Sequence, residues 1–504
     1  MIDKYNINNK ICNEFDNERL KFWLDFKQQK FLHNIDTYYY TIRFEAQEDD
    51  KQAFYDVLQK DKERVKKEND TISSLSSKYI TNGYSFGNYK YDLELQDEYM
   101  ILIAENVPNE QTPQIIVQIR SMPLWLNGIF DSIQKTFDDV QAICSQFRLK
   151  IVEVKSNRID YCWHTNYIQD LDVFFNPKNI SKMRVSRFDE ADMHFKFRGD
   201  EDIEYDYIRL GKLTSHNVLF RAYLKSKEVI EMGYKPWFLK VWQLNGLINR
   251  YDLYVYEECF KQHSWEYLHK ARLKFYYEYG QDQQKKNIIG AILNEQNGTG
   301  INNYDDLKAY ADELTPKVNM ILNFEYQTMR KFYNTIDFVN FRDRRGICKN
   351  LLIELDSRRL ILDYLTHETL RFVEKNADTN KSRRDYAPFW ERLRKCKIID
   401  SIVPHESLSL VRVYKTNLCS ELVKRRAINS ISTFNVYKMN DNVNIYNDIA
   451  DFISSLNDND MYHMRMYKNK KVQLLKNQLD EAKPKNKNIS LGIFDKNTGQ
   501  ILNQ

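Results

Sequence analysis

Arg158-Ile159-Asp160-Tyr161-Cys162-Trp163-His164-Thr165-Asn166 is the stretch from which the fold can be read. Side chains alternate across a β-strand. Ile159, Tyr161 and Trp163 therefore share a bulky apolar face, and Arg158, Asp160, Cys162 and His164 share the opposite one. Arg, Asp and His in register do not suit a dry core, because a buried charge is costly unless it is paired or bound to a metal. Two readings stay open. Arg158 and Asp160 can be a structural ion pair with His164 merely ending the strand, or Asp160 and His164 can belong to a site on an open sheet face.

The same two-faced pattern recurs outward in both directions. In 36–45, Tyr38, Tyr40, Ile42 and Phe44 oppose Tyr39, Thr41, Arg43 and Glu45. Strands follow at 100–104 and 115–120, the second bearing Gln118 and Arg120 on its polar side. The spacing of Ile129, Ile133, Phe137, Val140 and Ile143 predicts one amphipathic helix over 125–147. A strand at 149–154 leads into the Asp160 strand, and 193–198 alternates with His194, Lys196 and Arg198 on one side. Segments 202–211 and 218–225 read as a hairpin whose second arm sets Arg221, Tyr223 and Lys225 against Val218, Phe220, Ala222 and Leu224. The fold expected is α+β: a mostly antiparallel sheet with helices on one face and the polar sets gathered on the other.

A tyrosine flanked at i±2 by two cations suits a phosphodiester, since the cations hold phosphate oxygens and lower the cost of a tyrosinate. It is equally an ordinary way to dress an exposed strand. Beyond residue 226 the pattern turns helical, with Gly233 and the 295–300 stretch as breaks. Three regions are expected: 1–232 as the α+β domain, 233–295 as a helical extension completing its core, and 301–504 as a helical C-terminal domain.

With 42% hydrophobic residues, and 34 Tyr and 28 Phe against 14 Gly and 9 Pro, a chain of 504 residues buries large cores and is not a low-complexity polymer. The net charge of +4 decides nothing about partners. Seven scattered cysteines without a CxxC argue against a zinc ribbon or a disulfide framework and fit a reducing cytoplasm. No apolar run approaches a membrane span, and the N-terminal residues lack a signal pattern. GxxxxGK[ST] and HExxH are absent. Gly83-Tyr84-Ser85-Phe86-Gly87 matches GxSxG by letter, but polar flanks make it a loop and not a hydrolase elbow.

Arg158-Ile159-Asp160-x-x-x-His164, and Gly211-Lys212-Leu213-Thr214-Ser215-(x5)-Arg221-Ala222-Tyr223-Leu224-Lys225 with Glu228 beyond, resemble the two motifs of the replication initiation factor family. That family holds plasmid rolling-circle initiators and relaxases of conjugative elements, with related proteins in phages. His164 stands where the family pattern has Asp, and Arg209 where it has a second Tyr, the nearest being Tyr207. The resemblance covers about 36–280 and implies a bacterial cytoplasmic enzyme that nicks one DNA strand through Tyr223 or Tyr207. A divalent metal (Mg or Mn) would sit on Asp160, His164 and Glu45, and Arg221, Lys225, Arg158, Arg43, Arg120 and Lys196 would hold DNA. The partners implied are a single strand at the nick, the origin duplex and a host helicase, with no membrane. The alternatives are a non-catalytic single-stranded DNA-binding protein and a phage structural or assembly protein. Origin sequence, metal identity, oligomeric state and the choice between replication and transfer are not legible in the sequence.

Overall fold

The computed structural model describes residues 22–24, 29–68, 70–105, 112–186, 188, 191–198, 202–211, 217–232, 235–294, 304–338, 358–375, 378–396, 410–412, 427, 428, 430, 431, 434 and 445–468. Its first ten strands are β1 (Phe31–Glu45), β2 (Tyr91–Leu95), β3 (Tyr99–Ile103), β4 (Ile115–Ile119), β5 (Lys150–Thr165), β6 (Arg184–Ser186), β7 (Ala191–Arg198), β8 (Asp202–Leu210), β9 (Val218–Leu224) and β10 (Leu322–Met329). All but β6 form one sheet in the order β2-β3-β4-β1-β5-β10-β9-β8-β7. Every pairing in it is antiparallel. β6 pairs separately with Leu370–Phe372. This is the α+β fold expected from the sequence.

Helices pack on the sheet from both sides. Those used below are α1 (Glu48–Glu68), α2 (Ser121–Leu126), α3 (Ile129–Gln146), α4 (Lys225–Glu231), α5 (Pro236–Leu244), α6 (Arg250–Lys261) and α7 (Pro388–Arg394). Local chemistry explains several of them. Glu48, Asp49 and Asp50 open α1 and Lys66 and Lys67 close it, which suits the helix dipole at both ends. Asn249 and Asp252 exchange side-chain and backbone hydrogen bonds to start α6. Pro236 occupies the first turn of α5, where its missing N–H is no loss.

Tyr38, Tyr40, Ile159, Tyr161, Phe324, Tyr326 and Phe220 lie on the apolar side of the sheet and are buried. At the β1 end α3 covers this side, and Tyr40 donates its hydroxyl proton to Thr136 at 3.0 Å. At the β9–β10 end the cover is aromatic: Phe324 stacks on Phe389 of α7 at 5.9 Å, and Phe220 meets Trp390 edge-on at 6.0 Å. A smaller group, α2, α4 and α5, roofs the polar side at its His164 end.

Three sequence expectations are corrected. The single helix over 125–147 is two helices, because Gly128 takes φ +88° between α2 and α3, a conformation open to glycine and strained for other residues. The strands expected at 149–154 and 158–166 are one continuous 16-residue strand, β5. The region 301–504 is not a helical domain throughout, since β10 is a central strand between β5 and β9. Among the described residues the chain divides into two compact units, one drawn from 1–332 and 348–405, the other from 333–347 and 406–504. In the second, Ile336–Phe338 pairs with Leu410–Arg412, and Phe434 meets Phe452 of the helix Ile445–Ser454 at 5.3 Å.

Candidate functional site

Register places the polar residues of four strands in one band. Across β5 and β10, Asp160 faces Gln327, Cys162 faces Glu325, and His164 faces Asn323. Glu325 and Asn323 face Arg221 and Tyr223 of β9, which in turn face Arg209 and Tyr207 of β8. Asp160 and Glu325 are each only 1% exposed. Arg158 donates from Nε to Asp160 Oδ1 at 2.8 Å while its guanidinium lies over the Tyr39 ring at 5.1 Å. Arg221 Nη2 bonds Glu325 Oε1 and lies 3.8 Å from Asp160 Oδ2. Two buried carboxylates therefore converge on one guanidinium nitrogen. Burial pushes the Asp160 carboxyl up to about 7; the Arg158 hydrogen bond opposes this and the neighbouring Glu325 charge adds to it.

Tyr223 sits beside this pair. Its hydroxyl donates to Glu325 Oε2 at 3.3 Å and accepts from Asn323 Nδ2 at 2.9 Å and Lys225 Nζ at 3.4 Å. Burial drives the phenol well above its ordinary range, and the Lys225 ammonium opposes that rise. The Tyr207 ring lies 6.3 Å from that of Tyr223, and burial raises its phenol too. The arrangement offers one oxygen with a carboxylate to take its proton and two donors to hold the anion left behind.

His164 lies in an aromatic box. Trp125 stacks on it at 4.5 Å, Phe238 stands edge-on at 5.1 Å, and Trp242 donates its indole N–H to Nδ1 at 3.0 Å. Burial holds the imidazole neutral, with its pKa well below the usual range, and the Lys225 charge acts in the same direction. Ligand atoms of His164, Cys162 and Asp36 lie within 4.8 Å of one another. The donor set does not fit a metal. With Nδ1 accepting from Trp242, the one ring proton of a neutral imidazole stays on Nε2, the nitrogen that would have to be bare to ligate. The Lys225 ammonium, 3.6 Å from Asp36, adds a repelling charge.

The other expected residues divide. Asp160 and His164 are four residues apart on one strand, about 13 Å at 3.3 Å per residue, so they do not share an ion. Glu45 faces Lys150 while Asp160 faces Thr37, so Glu45 lies eight residues along β1, about 26 Å away, and is exposed. Arg43 faces Glu153, also distant. Arg120 pairs with Glu94 at 2.6 Å near the end of β4. Lys225, expected to meet DNA, is 1% exposed and ion-paired with Glu228 at 2.9 Å. Lys196 of β7 faces Glu204 of β8, and its side chain lies outside the described residues, as do Lys212 to Ser215 of the second motif. Gly211 of that motif is described: it holds φ +89°, and a Cβ there would meet Phe188 at 2.6 Å. The sequence reading missed Glu325 and Asn323. The alternation of Asn323, Glu325 and Gln327 with Phe324 and Tyr326 was visible, but it sits in a region otherwise read as helical.

No protein-family model and no curated protein matches the sequence. Among solved structures, a rolling-circle replication initiator protein from Geobacillus stearothermophilus is similar at 11% identity, over 72% of this chain and 96% of its own, with a TM-score of 0.32. Among the described residues no helix is long and apolar enough to cross a membrane.

Proposed function

We propose that this protein cuts and rejoins one DNA strand through Tyr223, the step that starts rolling-circle replication. The observation that supports this most is the Tyr223 hydroxyl set between Glu325 as acceptor and Asn323 and Lys225 as donors. In the forward step Tyr223 Oη passes its proton to Glu325 Oε2 and bonds to phosphorus. The P–O3′ bond breaks, and Glu325 returns the proton to the departing O3′. The products are a 5′-phosphotyrosine and a free 3′-hydroxyl. Because the bond energy stays in the ester, rejoining is the reverse and needs no nucleotide, in keeping with the absent GxxxxGK[ST]. Arg158 and Arg221, 22% and 27% exposed, reach from the buried pair toward the surface and would hold the phosphate.

The residues that would hold a divalent cation of the Mg or Mn type are Asp160 and Glu325, at a different place from the one expected. Asp160 Oδ2 and Glu325 Oε1 already converge on one positive nitrogen. A cation bound to these oxygens would supply charge to the scissile phosphate. Glu325 Oε2 would remain for Tyr223.

A second reading is a single-stranded DNA-binding protein without chemistry. It is favoured by the burial that pushes both the Tyr223 and Tyr207 phenols up, away from ready ionisation. Incubation with single-stranded DNA pools and Mn²⁺, resolved on denaturing gels, separates the two. An adduct that Tyr223→Phe removes and Tyr207→Phe keeps is the expected result. Native-gel shifts without an adduct would leave the binding reading.

A further inference from the structure

We infer that Asp160 and Glu325 act as a latch on Arg158 and Arg221, opened when a divalent cation takes over the two carboxylates. Cation and single-stranded DNA then bind cooperatively. The inference rests on the site assignment above, but not on whether Tyr223 reacts.

The charges carry the argument. Two carboxylates, each 1% exposed, face two guanidiniums that do not lose their protons. Arg158 is committed to Asp160, and Arg221 to Glu325 with Asp160 nearby. With both carboxylates ionised the four groups sum to zero, so that state of the site has little attraction for a phosphate. A phosphodiester that drew either arginine away would strand a buried carboxylate, which is strongly unfavourable. A divalent cation on the carboxylates removes that obstacle. It balances both negative charges and leaves two planar donors free for phosphate oxygens. The neighbours keep the guanidiniums close to the mouth of the site when released. Tyr39 lies under Arg158, and Arg209 stands across the ladder from Arg221, where a second like charge disfavours retreat in that direction.

Linkage requires the effect to be mutual: the factor by which cation raises DNA affinity equals the factor by which DNA raises cation affinity. The sign is diagnostic. Divalent cations ordinarily weaken protein–DNA binding by competing for phosphates, so tighter binding with added cation does not arise from screening.

The test uses the full chain, a fluorescein-labelled single-stranded oligonucleotide and Ca²⁺ as a hard cation, at constant ionic strength, with anisotropy as the readout. We expect about tenfold tighter oligonucleotide binding in saturating Ca²⁺, toward the lower end of typical couplings. Calorimetry should show Ca²⁺ binding about tenfold tighter when the oligonucleotide is present. Asp160→Asn and Glu325→Gln should each bind the oligonucleotide tightly without Ca²⁺ and lose the response. The wild-type titrations need no variant to fold. Affinity unchanged or weakened by Ca²⁺ would overturn the latch, and if the Tyr223 adduct still forms, strand cutting survives that failure. Ca²⁺-enhanced binding with no adduct under any metal would uphold the latch in a protein that does not cut.

Discussion

Burial raises the Asp160 carboxyl to about 7 against an ordinary unfolded value of about 3.9. A raised folded pKa means that the folded state holds the proton more tightly. Its stabilising contribution is therefore complete below about pH 4 and is lost as pH rises through about 7. The stability gap between wild type and Asp160→Asn should accordingly shift in favour of wild type on going from pH 7.5 to pH 5, as read by urea midpoints. A gap that moves the other way would show Asp160 to be ionised throughout. At Gly211 the backbone decides: φ +89° and a Cβ meeting Phe188 at 2.6 Å make Gly211→Ala costly. The left-handed conformation alone is worth about 1–2 kcal/mol, measurable as a fall in denaturation midpoint. At this scale Arg158, Asp160, Arg221 and Tyr223 could be picked from alternation and from a tyrosine flanked by cations. The fate of His164 could not, because the rings that enclose it, Trp125, Phe238 and Trp242, come from helices remote from it in sequence.

β10 is the element on which the site depends. It supplies Glu325 and Asn323 to the polar face and Phe324 and Tyr326 to the core, with strands on both sides. Phe324→Ala should cost about 3–5 kcal/mol, the usual price of an emptied aromatic position in a core, and should lower the cooperative unfolding temperature. Amide hydrogen exchange should be slowest in β5 and β10, where both edges of each strand are hydrogen-bonded, and fastest toward the outer strands β2 and β7. Alternation made β1, β4, β5, β8 and β9 readable. β10 escaped because eight residues of strand are embedded in a long run of helical periodicity, and a short polar–aromatic alternation fits either structure until its neighbours are known.

On the scale of the whole molecule, the sheet closes only when chain from beyond residue 320 returns to its centre. The boundary expected near 300 would leave β5 and β9 each with a bare edge and an uncovered aromatic face. A chain ending at 300 should fail to unfold cooperatively by calorimetry, because Phe220 and Tyr161 lose Phe324, Tyr326 and Trp390 as cover. A sharp calorimetric transition from that fragment would contradict the architecture. The fold class was legible because periodicity is local. The division of the chain was not, since pairing between residues 165 and 322 leaves no mark in either stretch alone.

The central claim is that Tyr223 forms a covalent bond to DNA with Glu325 as its proton acceptor. The most direct measurement is mass spectrometry of proteolysed adducts trapped on single-stranded DNA with Mn²⁺. A phosphonucleotide on the peptide containing Tyr223, lost in Tyr223→Phe and reduced at least about 100-fold in rate in Glu325→Gln, in line with the usual worth of a general base, is the result predicted. An adduct on Tyr207 or elsewhere, or none with DNA that the protein demonstrably binds, would contradict it.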